Sequence, residues 1–198
     1  MLKTLKQNLK ARSHLSRPQP IIDEKSKNAA VLVVVCGVDD NLELLLTVRS
    51  ENVSRHRGEV AFPGGMWQEG DDSLLETALR EAEEEVGLME SSLELLATLP
   101  SASPMQDHIT VVPFVAYMSR EQKLVAQPSE ISKIFRVPIT YLMNNENYFY
   151  FKKSFDDKLF CLPYIDYNGS RIWGFTLKVL VDLLKTSLDA KIHLCFPY

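Results

Sequence analysis

Three cysteines, two tryptophans and eight glycines in 198 residues leave several protein classes without material. Cys36, Cys161 and Cys195 are odd in number and far apart. They supply neither a disulfide framework nor metal-ligand spacing, and read as buried, reduced thiols of a cytosolic protein. No apolar run approaches the roughly 20 residues of a membrane-spanning helix. A net charge of −4 gives no electrostatic footprint for a nucleic-acid backbone. There is no internal repeat and no low-complexity linker. What is present, 45% hydrophobic and 24% charged residues, is the composition of an ordinary globular chain. Its length suits one substantial core better than two.

The first 22 residues differ from the rest. Lys3, Lys6, Lys10, Arg12 and Arg17 occur before any acid, the first being Asp23. Leu2, Leu5 and Leu9 recur at helical spacing. An organellar transit segment has this look, but the expectation is a short helix laid against the domain and ended by Pro18 and Pro20. The chain does not close on a peroxisomal Ser-Lys-Leu signal, and a cytoplasmic location is expected.

Beyond that break, the valine-rich run 29–36 reads as a buried strand, with 42–48 its antiparallel partner across Asp39, Asp40 and Asn41. A short strand over 59–62 ends at Pro63-Gly64-Gly65. The helix over 73–86 is the clearest element: Ser73 and Glu76 form a capping-box pattern, and Gly87 suits a left-handed C-terminal cap. Strands follow at 93–99, 110–117, 134–137, 149–152 and 160–167, with a brief helix near 138–143. Asn168-Gly169 marks a two-residue hairpin returning through 171–173, and 175–187 reads as a second amphipathic helix. Asp107 and His108 sit in a Ser/Pro-rich loop that could border a site. The sum is an α/β (α+β) single domain, a mixed sheet between helices.

The helix over 73–86 breaks local rules. Leu75, Leu79, Ala82 and Val86 make its buried stripe, while Glu81, Glu84 and Glu85 lie together on another face. The three acids repel one another, and they sit in the last turns, where the helix dipole disfavours negative charge. A cation that holds them would account for the arrangement, and hard carboxylate oxygens suit Mg²⁺ or Mn²⁺. A solvated acidic face is the bland alternative.

The stretch 65–88, GMWQEGDDSLLETALREAEEEVGL, resembles the Nudix box, whose second half is matched position by position from Arg80 to Leu88. The first half has one extra residue after Gly65, and Asp71 or Asp72 stands where the family has glutamate. The resemblance implies a Nudix-type α/β/α sandwich over 23–198, with 1–22 a helical extension. It implies Mg²⁺ (or Mn²⁺) held by Glu81, Glu84 and Glu85 with a backbone carbonyl of Gly65, and Arg80 orienting the glutamates. It also implies hydrolysis of a diphosphate in a nucleotide-like small molecule. Glu130 is the candidate base.

Just upstream, the stretch 44–65, LLLTVRSENVSRHRGEVAFPGG, resembles the motif of the coenzyme A diphosphatase subfamily through Leu45, Leu46, Thr47, Arg49, Ser50, Arg55, Gly58, Phe62, Pro63, Gly64 and Gly65. That resemblance implies substrate contacts at Arg49, Ser50, Arg55, Gly58, Phe62, Gly64 and Gly65. The implied substrate is CoA or acyl-CoA, cleaved to 3′,5′-ADP and 4′-phosphopantetheine or its acyl form. Arginine forks suit phosphate oxygens, and Phe149, Tyr150, Phe151, Phe160 and Tyr164 offer aromatic material for the pantetheine arm. Pro104 lies near the position of a proline in ADP-ribose-cleaving Nudix members, which makes ADP-ribose the alternative substrate. A nucleotide-binding module without catalysis is the further alternative. No nucleic-acid or membrane partner is expected, and a homodimer is left open.

Overall fold

The structure, a computed structural model, describes residues 1–13, 27–104, 109–155, 158–194 and 196. The 22/23 boundary, Pro18, Pro20, Asp107, His108 and Cys195 lie outside the described residues. Helix α1 (Leu2–Arg12) stops at Ser13, whose backbone N–H donates to the Leu9 carbonyl and whose hydroxyl donates to the Thr98 carbonyl at 2.6 Å. Its end is therefore a polar cap on the sheet, well before Pro18 and Pro20.

Among the described residues, ten strands follow: β1 (Lys27–Val38), β2 (Asn41–Arg49), β3 (Val60–Ala61), β4 (Gly64–Met66), β5 (Leu93–Thr98), β6 (Ile109–Met118), β7 (Ile131–Pro138), β8 (Tyr148–Phe155), β9 (Lys158–Tyr167) and β10 (Ser170–Trp173). Helices α2 (Leu74–Val86), α3 (Ile139–Met143) and α4 (Gly174–Leu188) complete the set. The larger sheet runs β3-β2-β1-β6-β5, with β4 added to β1 and β7 to β2. It is mixed, because β1 pairs β6 in parallel and β2 antiparallel. Strands β8, β9 and β10 form a separate antiparallel sheet, not an extension of the first. The turn at Asn168-Gly169 has both residues at positive φ (52° and 77°), as a two-residue hairpin with strand twist requires.

Period-2 alternation places the core on both faces of β1. Ala30, Leu32, Val34 and Cys36 meet α2, while Val33 and Val35 enter the cluster containing α1, α3, α4 and the small sheet. Helices thus cover both faces of the mixed sheet. Leu5 and Leu9 of α1 are fully buried in the second cluster. Two of the cations of α1 are paired with acids: Lys6 bonds Glu94 at 2.5 Å and Arg12 pairs with Asp189. Cys36 is buried, and burial pushes its thiol up to about 12. Cys161, expected to be buried, is exposed because it lies on a strand of the small sheet. Among the described residues, no helix is long and apolar enough to cross a membrane.

Leu9→Ala should lower unfolding free energy by about 2–5 kcal/mol, the range for truncating a fully buried leucine. Urea unfolding followed by circular dichroism measures it. A change below about 1 kcal/mol would mean that α1 is not part of the cooperative core.

Candidate active site

Two glycines bring the chain onto α2. Gly64 has φ 150°, and a Cβ there would lie 2.3 Å from the Ala30 carbonyl oxygen, so β4 packs on β1 only without a side chain. At Gly65 a Cβ would lie 2.4 Å from the carboxylate carbon of Glu81. The Gly64 N–H donates to Glu85 Oε2 at 3.0 Å. The Pro63-Gly64-Gly65 stretch, read as a break in the sequence, is therefore a strand edge pressed against two carboxylates.

Helix α2 begins where its sequence indicates, but with a twist on the capping box. The Ser73 hydroxyl accepts the Glu76 N–H at 3.3 Å, while the Glu76 carboxylate reaches one residue further back, to the Asp72 N–H at 2.5 Å. Gly87 closes the helix in the left-handed conformation at φ 69°.

The three glutamates are graded in depth: Glu85 is 2% exposed, Glu81 17% and Glu84 60%. Arg80 ties Glu81 and Glu84 to the loop before the helix. Its Nε and Nη2 donate to the two oxygens of Asp71 at 2.9 and 3.1 Å, and its Nη1 donates to Glu81 at 2.9 Å and Glu84 at 3.0 Å. Of the two aspartates the sequence offered, Asp71 is the partner. It is buried, accepts the Thr77 hydroxyl at 2.8 Å, and is held below the usual carboxylate range chiefly by Arg80. The Arg80 guanidinium is raised in turn, first by Asp71.

Arg49, at the end of β2, points into this cluster: its Nη1 lies 3.4 Å from Glu85 Oε1. The Ser50 N–H donates to the Glu130 carbonyl at 2.7 Å, and the Ser50 hydroxyl accepts the Asn52 N–H at 3.2 Å. Ser50 is thus spent on local backbone, and what it does is hold the turn carrying Glu130 beside Arg49. The charge of exposed Glu130 acts on both Glu81 and Glu85.

Phe62, expected as a substrate contact, is 3% exposed and packs in the core cluster with Val60, in the short connection between β3 and β4. Gly58, at φ 65°, shapes the loop, where a Cβ would meet Glu51 at 2.7 Å. Arg55 is exposed on that loop. Arg57 donates to the Val53 carbonyl at 2.7 Å and His56 lies 2.9 Å from Glu59, so part of this basic loop is engaged with itself.

Among the described residues, no three His, Cys, Asp or Glu side chains already converge as a metal cage. Arginines occupy the carboxylates instead. The donor set nonetheless fits a small hard dication. Burial raises Glu81, and it pushes Glu85 up to about 7 against the opposing pull of the Gly64 N–H and Arg49, with Glu81 and Glu130 adding repulsion. Crowded, desolvated carboxylate oxygens beside a backbone without Cβ atoms are what Mg²⁺ or Mn²⁺ ligation uses.

The raised Glu85 has a definite sign. Below its unfolded value of 4.5 both states are protonated, and the folded state carries no penalty. As pH rises towards about 7 the unfolded chain releases the proton first, so stability declines by on the order of 3 kcal/mol. In EDTA, the Tm of the parent should therefore fall relative to Glu85→Gln between pH 5 and 8, and added Mg²⁺ should narrow the gap above pH 7. Parallel Tm curves for the two proteins would overturn this.

The sequence profile of the NUDIX domain matches residues 26–158. The "Uncharacterized Nudix hydrolase NudL" of Photorhabdus laumondii is 32% identical over 170 residues, covering 85% of this chain and 89% of that protein. The human "Mitochondrial coenzyme A diphosphatase NUDT8" is 32% identical over 174 residues, covering 85% of this chain and 72% of that one. The crystal structure of a MutT/nudix family protein from Enterococcus faecalis superposes with a TM-score of 0.57 at 18% identity, over 87% of this chain and 66% of that one, a likeness of fold. With its matched domain and its mixed sheet between helices, this chain belongs to the Nudix hydrolase family.

Proposed function

We propose that the chain hydrolyses the diphosphate bond of CoA or acyl-CoA, giving 3′,5′-ADP and 4′-phosphopantetheine or its acyl form. Residues 23–198 form the hydrolase domain of this proposal, with 1–22 as its helical extension. The observation that carries it is the contact of Arg49 with Glu85. An arginine of the motif that resembles the CoA subfamily stands at the acid cluster itself, where a diphosphate would lie. The human relative that is a CoA diphosphatase by name supports the same substrate.

Glu81, Glu84 and Glu85, with the Gly65 carbonyl, hold Mg²⁺ or Mn²⁺ in this reading. The ion, when bound, neutralises diphosphate charge and acidifies water. The Gly64 N–H fixes one oxygen of Glu85, and Asp71 locks Arg80 so that Glu81 and Glu84 keep their orientation. Charge-assisted bonds of this kind are short and directional. Glu130 takes the proton of the attacking water. The water oxygen bonds to phosphorus, and the bridging oxygen departs with its electron pair on the other phosphate. Arg49 and Arg55 offer planar donor forks to the phosphate oxygens. A cytoplasmic location is part of the proposal, set beside a human relative whose name says mitochondrial.

The purified chain with Mg²⁺ should show kcat/KM for CoA or acetyl-CoA at least about tenfold above ADP-ribose, NADH and diadenosine polyphosphates. A preference for ADP-ribose of that size would overturn the CoA reading and make the enzyme an ADP-ribose hydrolase. Glu85→Gln should lower kcat by roughly 100- to 1,000-fold, and near-normal turnover would mean the ion is held elsewhere.

A further inference from the structure

Glu130 lies in a turn one residue before β7, and the chain on either side of it is bonded to the acid cluster. Residues 119–130 leave β6 and cross the C-terminal end of α2. The Gln122 side chain donates to the Gly87 carbonyl at 2.6 Å, the Val125 N–H to the Val86 carbonyl at 3.0 Å and the Gln127 N–H to the Glu85 carbonyl at 2.9 Å. Leu124 packs on the cluster that holds Ala82 and Val86. The last carbonyls of a helix have no partner within it, and this strap supplies one. Glu85 is thereby held at both ends, its carboxylate by the Gly64 N–H and its carbonyl by Gln127.

At Gln127 the strap turns. The Gln127 carbonyl accepts the N–H of Glu130 at 3.0 Å and that of Ile131 at 2.8 Å. Pro128, at the second position, presets φ for such a turn. One residue therefore bonds the main chain of both Glu85 and Glu130.

The exit from the turn is irregular. Along β2 and β7 the partners run from Glu43 with Pro138 to Val48 with Lys133, but Arg49 then pairs with Ile131, so Ser132 is an extra residue opposite the Val48–Arg49 step. Bulges of this kind bend a strand and re-aim its side chains. The Ser132 hydroxyl donates to the Val48 carbonyl at 3.1 Å, with the Arg49 carbonyl oxygen at 3.4 Å. Without the extra residue the register would continue to Glu51 opposite Glu130, a like-charge pair. With it, the Glu130 carbonyl accepts the Ser50 N–H at 2.7 Å. Glu130 is thus drawn one residue, ~3.3 Å, closer to Arg49. Because side chains alternate along a strand, the same step also reverses the face to which residues before Ser132 are presented.

We propose that Ser132 is a positioning residue for the hydrolysis: its bulge, with the Gln127 turn, sets the Glu130 carboxylate where the attacking water gives up its proton. This rests on the reading of Glu130 as the base. The proton passes to a Glu130 oxygen as the water oxygen bonds to phosphorus and the bridging oxygen departs with its electron pair. Ser132 neither gives nor takes a proton and acts through the main chain of Val48, Arg49 and Glu130. Its side chain is exposed, so it can be altered without opening the core.

Steady-state kinetics with Mg²⁺, on whichever diphosphate of the panel above is cleaved fastest, tests this. Ser132→Ala should lower kcat by about tenfold while KM moves by less than about twofold. Ser132→Thr, which keeps a hydroxyl, should recover most of the loss. In a Glu130→Gln background Ser132→Ala should have no further effect, since the group it positions is already disabled. Hydrogen exchange gives a readout without turnover: the Ser50 amide should exchange at least about tenfold faster in Ser132→Ala, and the Gly64 amide should not change. A parental kcat in Ser132→Ala, an equal drop in the Glu130→Gln background, or unchanged exchange at Ser50 would overturn the proposal. Parental kcat in Glu130→Gln alone would remove the base and this role with it, and leave the preference for CoA standing. A preference for ADP-ribose would remove the CoA reading, and the loss in Ser132→Ala on ADP-ribose would still support the positioning role.

Discussion

The absence of side chains at two consecutive positions is the constraint on which the site depends. Gly64 lets β4 close onto β1, and Gly65 lets the backbone pass the Glu81 carboxylate. Without that approach the Gly64 N–H could not reach Glu85, and the most buried acid of the helix would lose a backbone donor. Arg80 and Asp71 then hold the exposed side of the cluster, and Arg49 holds the inner side. A helix that accumulates negative charge at its C-terminal end is tolerated because Glu81, Glu84 and Glu85 are each given a cation or an N–H.

The motif that resembles the CoA subfamily divides into two physical roles. Leu45 and Leu46 face opposite cores across β2, Thr47 bonds the Ala61 carbonyl, and Phe62 is packed inside. These residues fix where β2 and β3 end. Arg49 and the Ser50-held turn of Glu130 are what that scaffold presents. A short sequence signature can thus look uniform while its members do unlike work.

Much of this was legible in the sequence because it is local. Apolar runs gave the strands of the central sheet, and Ser73 and Gly87 gave the limits of α2, since caps depend on neighbouring residues. What was illegible depends on partners distant in the chain. Strand β4 has no apolar pattern and exists through its pairing with β1. The choice of Asp71 over Asp72 follows from where Arg80 reaches, and the depth of Glu85 from a loop folding over it. Phe149, Phe151, Phe160 and Tyr164 fall on one face of the small sheet and Tyr150 on the other, but only the pairing of β8 with β9 reveals that this sheet is separate.

The parallel pairing of β1 with β6 bears on synthesis. Lys27 registers with Ile109, so the central strand stays unpartnered on that side until the chain has grown far past it. The wait at α1 is longer: Asn8 bonds the carbonyl of Ser187, 179 residues away. At ribosomal speeds of about 5–20 residues per second, the buried leucines of α1 lack their final cover for roughly ten seconds or more. A nascent chain paused before α4 would carry α1 with its leucines uncovered, the kind of apolar exposure that chaperones recognise.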